Sequence, residues 1–185
     1  MAHWIDVSNH QGILRPAWFE EWSERGYSGL VVQGVEALSG ESFTRRQLWA
    51  AQDAGWRIAG YVWCNSDQAA NLIRLRQRLD FFNGFKLDFL ALDVEELDTK
   101  RHDVDASLIV CDTQLKTHTW LYTAKWVFDG LGWSDETFWP DRKLWTSRYD
   151  GIADVDVGFE PYGGWARCDM KQFTDEPLDQ NVMRV

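Results

Sequence analysis

The chain has 185 residues, 45% of them hydrophobic, and a formal net charge of −10. This size suffices for a substantial core, and we expect one domain over residues 1–185. The charge argues against a nucleic-acid partner, because phosphate binding needs clustered Lys and Arg. No apolar run could cross a bilayer and Met1 to Gln11 lacks the regions of a signal peptide, so we expect no membrane partner.

Strand and helix patterns alternate from His3 to about Leu131, as is typical of a parallel sheet covered by crossover helices. The predicted strands are Trp4–Val7, Leu30–Val35, Arg57–Trp63, the segment bearing Asp93 and Glu95, and Thr119–Thr123. The predicted helices run from Pro16 to Gly26 with Trp18 and Trp22 inward, from Thr44 to Gly55, from a Ser66 cap to Asn83–Gly84, through Val104, Leu108, Cys111 and Leu115, and over Trp126–Leu131.

The last third of the chain has no helical pattern. Short strand-like runs at Lys143–Trp145, Asp154–Val157 and Cys168–Phe173 are joined by loops rich in Gly, Pro and Asp. Eight strands with only five helices predict an α/β fold, a (β/α) barrel whose last strands lack helices. Such a barrel would be shorter than the usual length of roughly 250 residues.

Three cysteines, Cys64, Cys111 and Cys168, are widely spaced and contain no Cys-x-x-Cys pair. This pattern indicates neither a disulfide framework nor a zinc site, and we expect buried, inert thiols. Twelve tryptophans exceed what a core of this size needs. Their faces suit stacking against sugar rings, although we expect most of them in the core.

The segment Leu90–Glu95 predicts a buried strand whose far end carries Asp93 and Glu95 on one face. Their Cα atoms would lie about 6.5 Å apart, so the carboxyl groups could flank a glycosidic bond at the roughly 5–9 Å used by glycosidases. Crowding of like charges would keep a proton on one of them. An alternative interpretation is that Asp93, Glu95, Glu96 and Asp98 form a solvated loop that caps the next helix.

A barrel gathers its active site at the carboxyl ends of its strands, and polar residues fall there. Asp6 ends the first predicted strand, and Glu36 follows the second. Further candidates are Tyr61, Trp63, Tyr122 and Gln172. This convergence favours a site at Asp93 and Glu95, whereas packing remains an equal alternative for the aromatic residues.

Several motifs, collinear over nearly the whole chain, resemble glycoside hydrolase family 25, the lysozyme-type muramidases. The critical match is Leu92-Asp93-Val94-Glu95, which resembles the family's catalytic strand. The others are Ile5–Gly12, Val35–Glu36, Ala54–Tyr61, Leu121–Thr123 with Trp126, Leu144–Trp145 with Tyr149, Gln172–Thr174 and Leu178–Asn181.

The resemblance implies a flattened eight-stranded barrel that cuts β-1,4 bonds between N-acetylmuramic acid and N-acetylglucosamine, without a cofactor or metal. By position, Glu95 would be the general acid and later the base. Asp93 would hold the substrate's 2-acetamido group as its oxygen attacks the anomeric carbon, and direct attack by a carboxylate stays open. Asp6 and Asp179 would flank this pair, and Tyr61, Tyr122, Trp145 and Gln172 would line the groove.

The chain departs from the family pattern at Gln33, where Lys is usual, at Val62, where His is usual, and at His10, where an aromatic residue is common. We interpret the changes at Gln33 and Val62 as losses of polar groups near the site. They make a glycan-binding barrel without turnover conceivable. A third hypothesis takes Asp6, Asp93, Glu95 and Asp179 as Mg²⁺ or Ca²⁺ ligands of a phosphodiesterase-like barrel.

The expected partner is the glycan strand of peptidoglycan, so the protein would act on the bacterial cell wall. Anionic wall polymers would repel so acidic a protein, which suggests that a wall-binding partner or a larger assembly delivers it. A phage lysin, a virion component and a secreted enzyme are equally compatible with the sequence.

Overall fold

The computed structural model describes residues 1–35, 43–64 and 68–185, with the backbone alone for residues 68–71. Eight strands close into a barrel in chain order. Neighbouring strands from the first to the seventh are parallel, and the eighth runs antiparallel to both the seventh and the first. They are β1 (Ala2–Val7), β2 (Tyr27–Gln33), β3 (Arg57–Trp63), β4 (Leu90–Asp93), β5 (Trp120–Thr123), β6 (Leu144–Ser147), β7 (Met170–Thr174) and β8 (Asp179–Met183).

A helix follows each of the first five strands, and in the described part of the chain none follows β6, β7 or β8. The predicted α/β barrel with about five helices is therefore confirmed. The helices are α1 (Pro16–Glu24), α2 (Phe43–Asp53), α3 (Gln68–Asp80), α4 (Arg101–Leu115) and α5 (Lys125–Leu131). Pro16 begins α1, where its fixed φ suits a helix and its missing N–H costs no hydrogen bond. The predicted cap at Ser66 lies outside the described residues.

The core has two layers, because side chains alternate between the two faces of each strand. On β4, Leu90 and Leu92 pack toward the helices, while Ala91 packs inside the barrel. The interior holds large aromatic rings, including Trp4, Trp120 and Trp145. This alternation places Asp93, two residues after Ala91, on the inner face of β4.

The prediction of a strand at Asp154–Val157 is wrong, because that segment is a loop and the eighth strand is Asp179–Met183. The ammonium group of Lys171, on the outer face of β7, satisfies this loop's backbone. Its Nζ donates to the carbonyl oxygens of Asp154 at 3.2 Å and Val157 at 2.9 Å, and to the Asp150 carboxylate at 2.9 Å. The loop therefore covers β7 in the place where a helix would lie.

The expected buried thiols are confirmed, since Cys64, Cys111 and Cys168 are free and buried. Burial raises the pKa of the Cys64 thiol to about 12, which keeps it protonated and unreactive. Trp18 and Trp22 lie on the inward face of α1, as predicted, with Trp22 buried and Trp18 packed against the core. Among the described residues, no helix combines the length and apolar character needed to cross a membrane.

Candidate active site

An open cavity of about 170 Å³ lies at the rim formed by the carboxyl ends of the parallel strands. Its lining includes every predicted site residue except Glu36, which lies outside the described residues. The lining residues are Asp6, Tyr61, Trp63, Asp93, Glu95, Tyr122, Trp145, Tyr149, Gln172 and Asp179. The sequence thus identified nine of these ten positions and missed Tyr149.

The barrel brings residues from both ends of the chain to this rim. Because β8 is antiparallel, it begins where the other strands end, so Asp179 lies opposite Asp6 of β1. Asp93, the last residue of β4, lies opposite Trp63 of β3 and Tyr122 of β5. Glu95 follows two residues after Asp93. The four candidate carboxylates therefore share one cavity.

The interpretation of Asp93 and Glu95 as part of a solvated helix-capping loop is wrong. Helix α4 begins after Lys100, whose side chain makes no capping bond. The side chain of Asp93 is only 3% exposed. It lines the cavity with Glu95 rather than the helix terminus.

Hydrogen bonds fix one side of the cavity. Asn181 Nδ2 donates to Asp6 Oδ2 at 2.7 Å, and Trp145 Nε1 donates to Asn181 Oδ1 at 2.8 Å. The Tyr122 hydroxyl donates to Gln172 Oε1 at 2.6 Å, and Gln172 in turn hydrogen-bonds Asp179. These partners are largely buried, so the carboxyl groups of Asp6 and Asp179 are held in position.

The carboxyl groups of the cavity hold their protons more tightly than free carboxyls do. Burial raises the pKa of Asp93 well above its usual value, and the charge of Glu95 adds to this effect. Burial and the charge of Asp179 do the same for Asp6. The pKa of Glu95 is raised by burial and by Asp179, although hydrogen bonding with Tyr122 opposes the increase. The site can therefore keep a carboxylic acid near neutral pH, as proton donation to a leaving group requires.

Two buried polar atoms beside the cavity have no hydrogen-bond partner among residues 1–35, 43–64 and 68–185. They are Asp93 Oδ1, an acceptor, and Trp63 Nε1, a donor. Buried polar atoms in native proteins are nearly always hydrogen-bonded. An acceptor and a donor left open beside one cavity can serve a ligand that carries both kinds of group.

The aromatic residues of the cavity pack against each other and also line it, so packing and ligand contact are compatible roles. The ring of Trp145 lies 4.5 Å from that of Tyr122 and 6.2 Å from that of Tyr61 between centroids. The interpretation of Val62 as a lost polar group at the site is wrong, because Val62 is fully buried on the helix side of the barrel. Gln33, two residues after the inward-facing Val31, lies on the inner face of β2.

Tyr149 and Asn181 were predicted only as members of motifs that resemble the family, and not as site residues. Asn181 lies two residues after Asp179 and therefore on the same face of β8. This spacing did not identify Asn181, because Asp154–Val157 was predicted as a strand and Asp179–Met183 was not. Within residues 1–35, 43–64 and 68–185, no group of three or more His, Cys, Asp or Glu side chains could hold a metal ion.

A scan with protein-family models found no match, and a search of curated proteins also found none. Solved structures do match over nearly the whole chain. The spore cortex lytic enzyme SleM from Clostridium perfringens is 17% identical with a TM-score of 0.78, and the alignment covers 99% of this chain and 67% of that one. The chain has the fold of the family 25 muramidases.

Two fungal proteins extend this comparison. A muramidase from Trichobolus zukalii is 18% identical with a TM-score of 0.74, and a family GH25 lysozyme from Aspergillus fumigatus is 17% identical with the same score. Each alignment covers 100% of this chain and 94% of the other. The resemblance in the motifs is thus matched by a muramidase fold.

Proposed function

We propose that this protein is a muramidase that cleaves the β-1,4 bond between N-acetylmuramic acid and N-acetylglucosamine in peptidoglycan. One observation carries the proposal: Asp93 and Glu95 share an open cavity in which burial raises the pKa of both carboxyl groups. The muramidase fold and the collinear motifs support the same activity.

Glu95 is the proposed general acid. It lies at the cavity, and its raised pKa lets it carry a proton to the leaving glycosidic oxygen. After bond cleavage the same carboxylate takes a proton from the attacking water, as microscopic reversibility requires for retention. The Tyr122 hydroxyl has one proton, which bonds Gln172 in the structure and can turn to the ionised Glu95 carboxylate, so Tyr122 favours the ionised form of the carboxyl and assists its second role.

Asp93 is proposed to hold the 2-acetamido group of the substrate. Its free Oδ1 can accept the acetamido N–H, which directs the acetamido oxygen toward the anomeric carbon. In its ionised form, with the proton of the pair on Glu95, Asp93 also stabilises the positive charge that develops on the ring. This route gives retention without a covalent bond to the enzyme, and direct attack by a carboxylate is the alternative.

Asp6 and Asp179 are proposed to tune the pKa values of the pair and to bind sugar hydroxyls. Their charges face the same cavity, and Asp179 raises the pKa of Glu95. The proposed sugar-contacting residues are Tyr61, Trp63, Tyr122, Trp145 and Gln172, all at the cavity, together with Glu36. Delivery to the cell wall by a partner or a larger assembly belongs to the same proposal.

A glycan-binding barrel without turnover is the second candidate function. The observation that favours it is Gln33, which stands on the inner face of β2 where family members usually carry Lys. A binder of this kind would retain affinity for peptidoglycan through the aromatic residues of the cavity and form no products. The two functions therefore differ in one measurable property, the appearance of new reducing ends.

Analysis of the soluble products of purified peptidoglycan tests the proposal. A muramidase releases fragments that end in reducing N-acetylmuramic acid, and a chelator leaves their yield unchanged. Binding to the wall without fragments would favour the glycan-binding barrel. Products that vanish with chelator would favour the metal-dependent phosphodiesterase hypothesis.

A further inference from the structure

A second, larger cavity of about 390 Å³ adjoins the catalytic cavity at the same rim. It lies beside the ends of β5 and β6, between the start of α5 and the loop that follows β6. Tyr149 lines both cavities. The other lining residues that matter here are Lys125, Trp126, Asp129, Arg148, Phe159 and Glu160.

Two aromatic side chains of this second cavity are open to solvent. Trp126 is 57% exposed and Tyr149 is 56% exposed, whereas the tryptophans of the barrel interior are buried. Exposed aromatic faces offer the flat apolar surface on which the C–H face of a sugar ring stacks. Two such faces around one cavity indicate a binding surface.

The charged groups of the cavity are paired and balanced. Lys125 bonds Asp129 at 2.9 Å, and Arg148 bonds Glu160 at 3.1 Å. Lys171, which also lines the cavity, bonds Asp150. A balanced site gives no net attraction to a charged peptide, but its donors and acceptors suit the hydroxyl and amide groups of a neutral sugar.

The floor of the cavity is rigid because the loop that forms it is tied down. Lys171 holds this loop through the carbonyl oxygens of Asp154 and Val157. Gly158 adopts a φ of +76°, and a Cβ there would lie 2.8 Å from Arg148 Nε and from Asp150 Oδ2. A loop fixed in this way loses little entropy when a ligand binds.

We propose that this second cavity binds a further sugar residue of the glycan strand, beyond the bond cleaved in the catalytic cavity. The proposal rests on the proposed muramidase function. Ligand sites usually measure about 300–1,000 Å³, so the catalytic cavity of about 170 Å³ is too small for several sugars. The strand must continue along the surface, and Tyr149 connects the two cavities.

The test compares Trp126→Ala with Trp49→Ala, a matched control at an exposed tryptophan of α2 that lies outside both cavities. The substrates are peptide-free glycan strands, one just long enough to be cleaved and one several sugars longer. We expect Trp126→Ala to lower the ratio of kcat/KM for the long strand over the short strand about tenfold, the cost of one lost stacking contact. Trp49→Ala should leave the ratio unchanged.

An unchanged ratio for Trp126→Ala would overturn the proposal. The same comparison on long strands that carry peptides is a second arm, and an effect of Trp126→Ala confined to that arm would also overturn the proposal, because the occupant would then be the peptide. If the unmutated protein cleaves neither strand, the muramidase function fails, and equilibrium binding of the long strand still tests the cavity. Trp126→Ala should then weaken binding about tenfold relative to Trp49→Ala, and equal binding would contradict a sugar site there.

Discussion

Asn181 connects Asp6 of the catalytic cavity to Trp145 of the barrel interior. Its side-chain amide donates to Asp6 Oδ2 at 2.7 Å and accepts from Trp145 Nε1 at 2.8 Å. Asn181 is fully buried on β8, two residues after Asp179. An amide has no titratable group in the working pH range, so it holds Asp6 in one orientation whatever the protonation of the neighbouring carboxyls.

We expect Asn181→Leu to lower kcat at least tenfold and to reduce the free energy of unfolding by about 1–3 kcal/mol. The leucine has a similar volume but removes the partner of Trp145 Nε1 and the donor to Asp6 Oδ2, so that Asp6 keeps only its hydrogen bond with Asp179. Steady-state kinetics and urea unfolding measure the two effects. Trp145→Phe leaves the bond from Asn181 to Asp6 in place and removes the indole of a cavity residue with its bond to the amide, so kcat should fall less than in Asn181→Leu. Equal losses of activity in both variants would contradict a positioning role for Asn181.

The pH dependence of activity should report the proton on Glu95. Activity falls as pH rises through the raised pKa of this acid, which forms the basic limb of the profile. Asp179→Asn removes a negative charge that raises the pKa, so the basic limb should move to lower pH. Tyr122→Phe removes a hydrogen bond that lowers it, so the limb should move to higher pH. Shifts in the same direction would contradict Glu95 as the acid.

Asp93→Asn should stabilise the protein at neutral pH. Because burial raises the pKa of Asp93 in the folded state, its contribution to stability is complete below the ordinary pKa of about 3.9 and is lost as pH rises through the raised value. The uncharged asparagine amide does not ionise, so the variant does not lose this stability as pH rises. We expect the free energy of unfolding at pH 7 to increase by about 1 kcal/mol and Tm by about 2–4 °C. Thermal unfolding from pH 3 to 7 measures this gain, which should vanish at the acid end. A variant less stable than the unmutated protein at pH 7 would contradict the argument.

Lys171→Met should lower the free energy of unfolding by about 3 kcal/mol, measured by urea unfolding. The Lys171 side chain is 1% exposed, and its removal takes the donor from two backbone carbonyls and the closest cation from the Asp150 carboxylate, which keeps Ile152 N and Arg148. Lys125→Met is the control, since its ion pair with Asp129 is exposed. Its urea midpoint should not change measurably. Equal stability of the two variants would show that Lys171 does not hold the loop.

The sequence predicted the first five strand–helix units because each combines an apolar strand, a crossover helix and a Gly or Pro boundary. Active sites of such barrels lie at the carboxyl ends of the strands, so the predicted barrel was enough to identify Asp6, Asp93 and Glu95 as candidate site residues. The prediction of one domain over residues 1–185 stays a prediction.

The last strands were harder to predict, because their pairing is set by distant partners rather than by local pattern. Strand β8 begins with Asp179, Gln180 and Asn181, whose polarity hides its strand character; Asp179 and Asn181 face the site, whereas Gln180 accepts from the Tyr27 hydroxyl on the other face. Lys171 would be taken for a surface residue, and only the fold shows the carboxylate and carbonyls around its ammonium group. Tyr149 lies in an irregular loop. Sequence periodicity predicts the direction of side chains only in helices and strands, so it could not place Tyr149 at the cavity.

The most direct test of the central claim is the rate at which new reducing N-acetylmuramic acid ends appear from purified peptidoglycan, compared between Glu95→Gln and Asp98→Asn. Asp98 is an exposed acid on the same loop, outside the cavity, so its variant controls for the loss of one negative charge. Loss of the general acid should lower the rate by about 10²–10⁴-fold, whereas Asp98→Asn should retain the rate of the unmutated protein. Equal rates for Glu95→Gln and the unmutated protein would contradict the assignment of Glu95 as the acid.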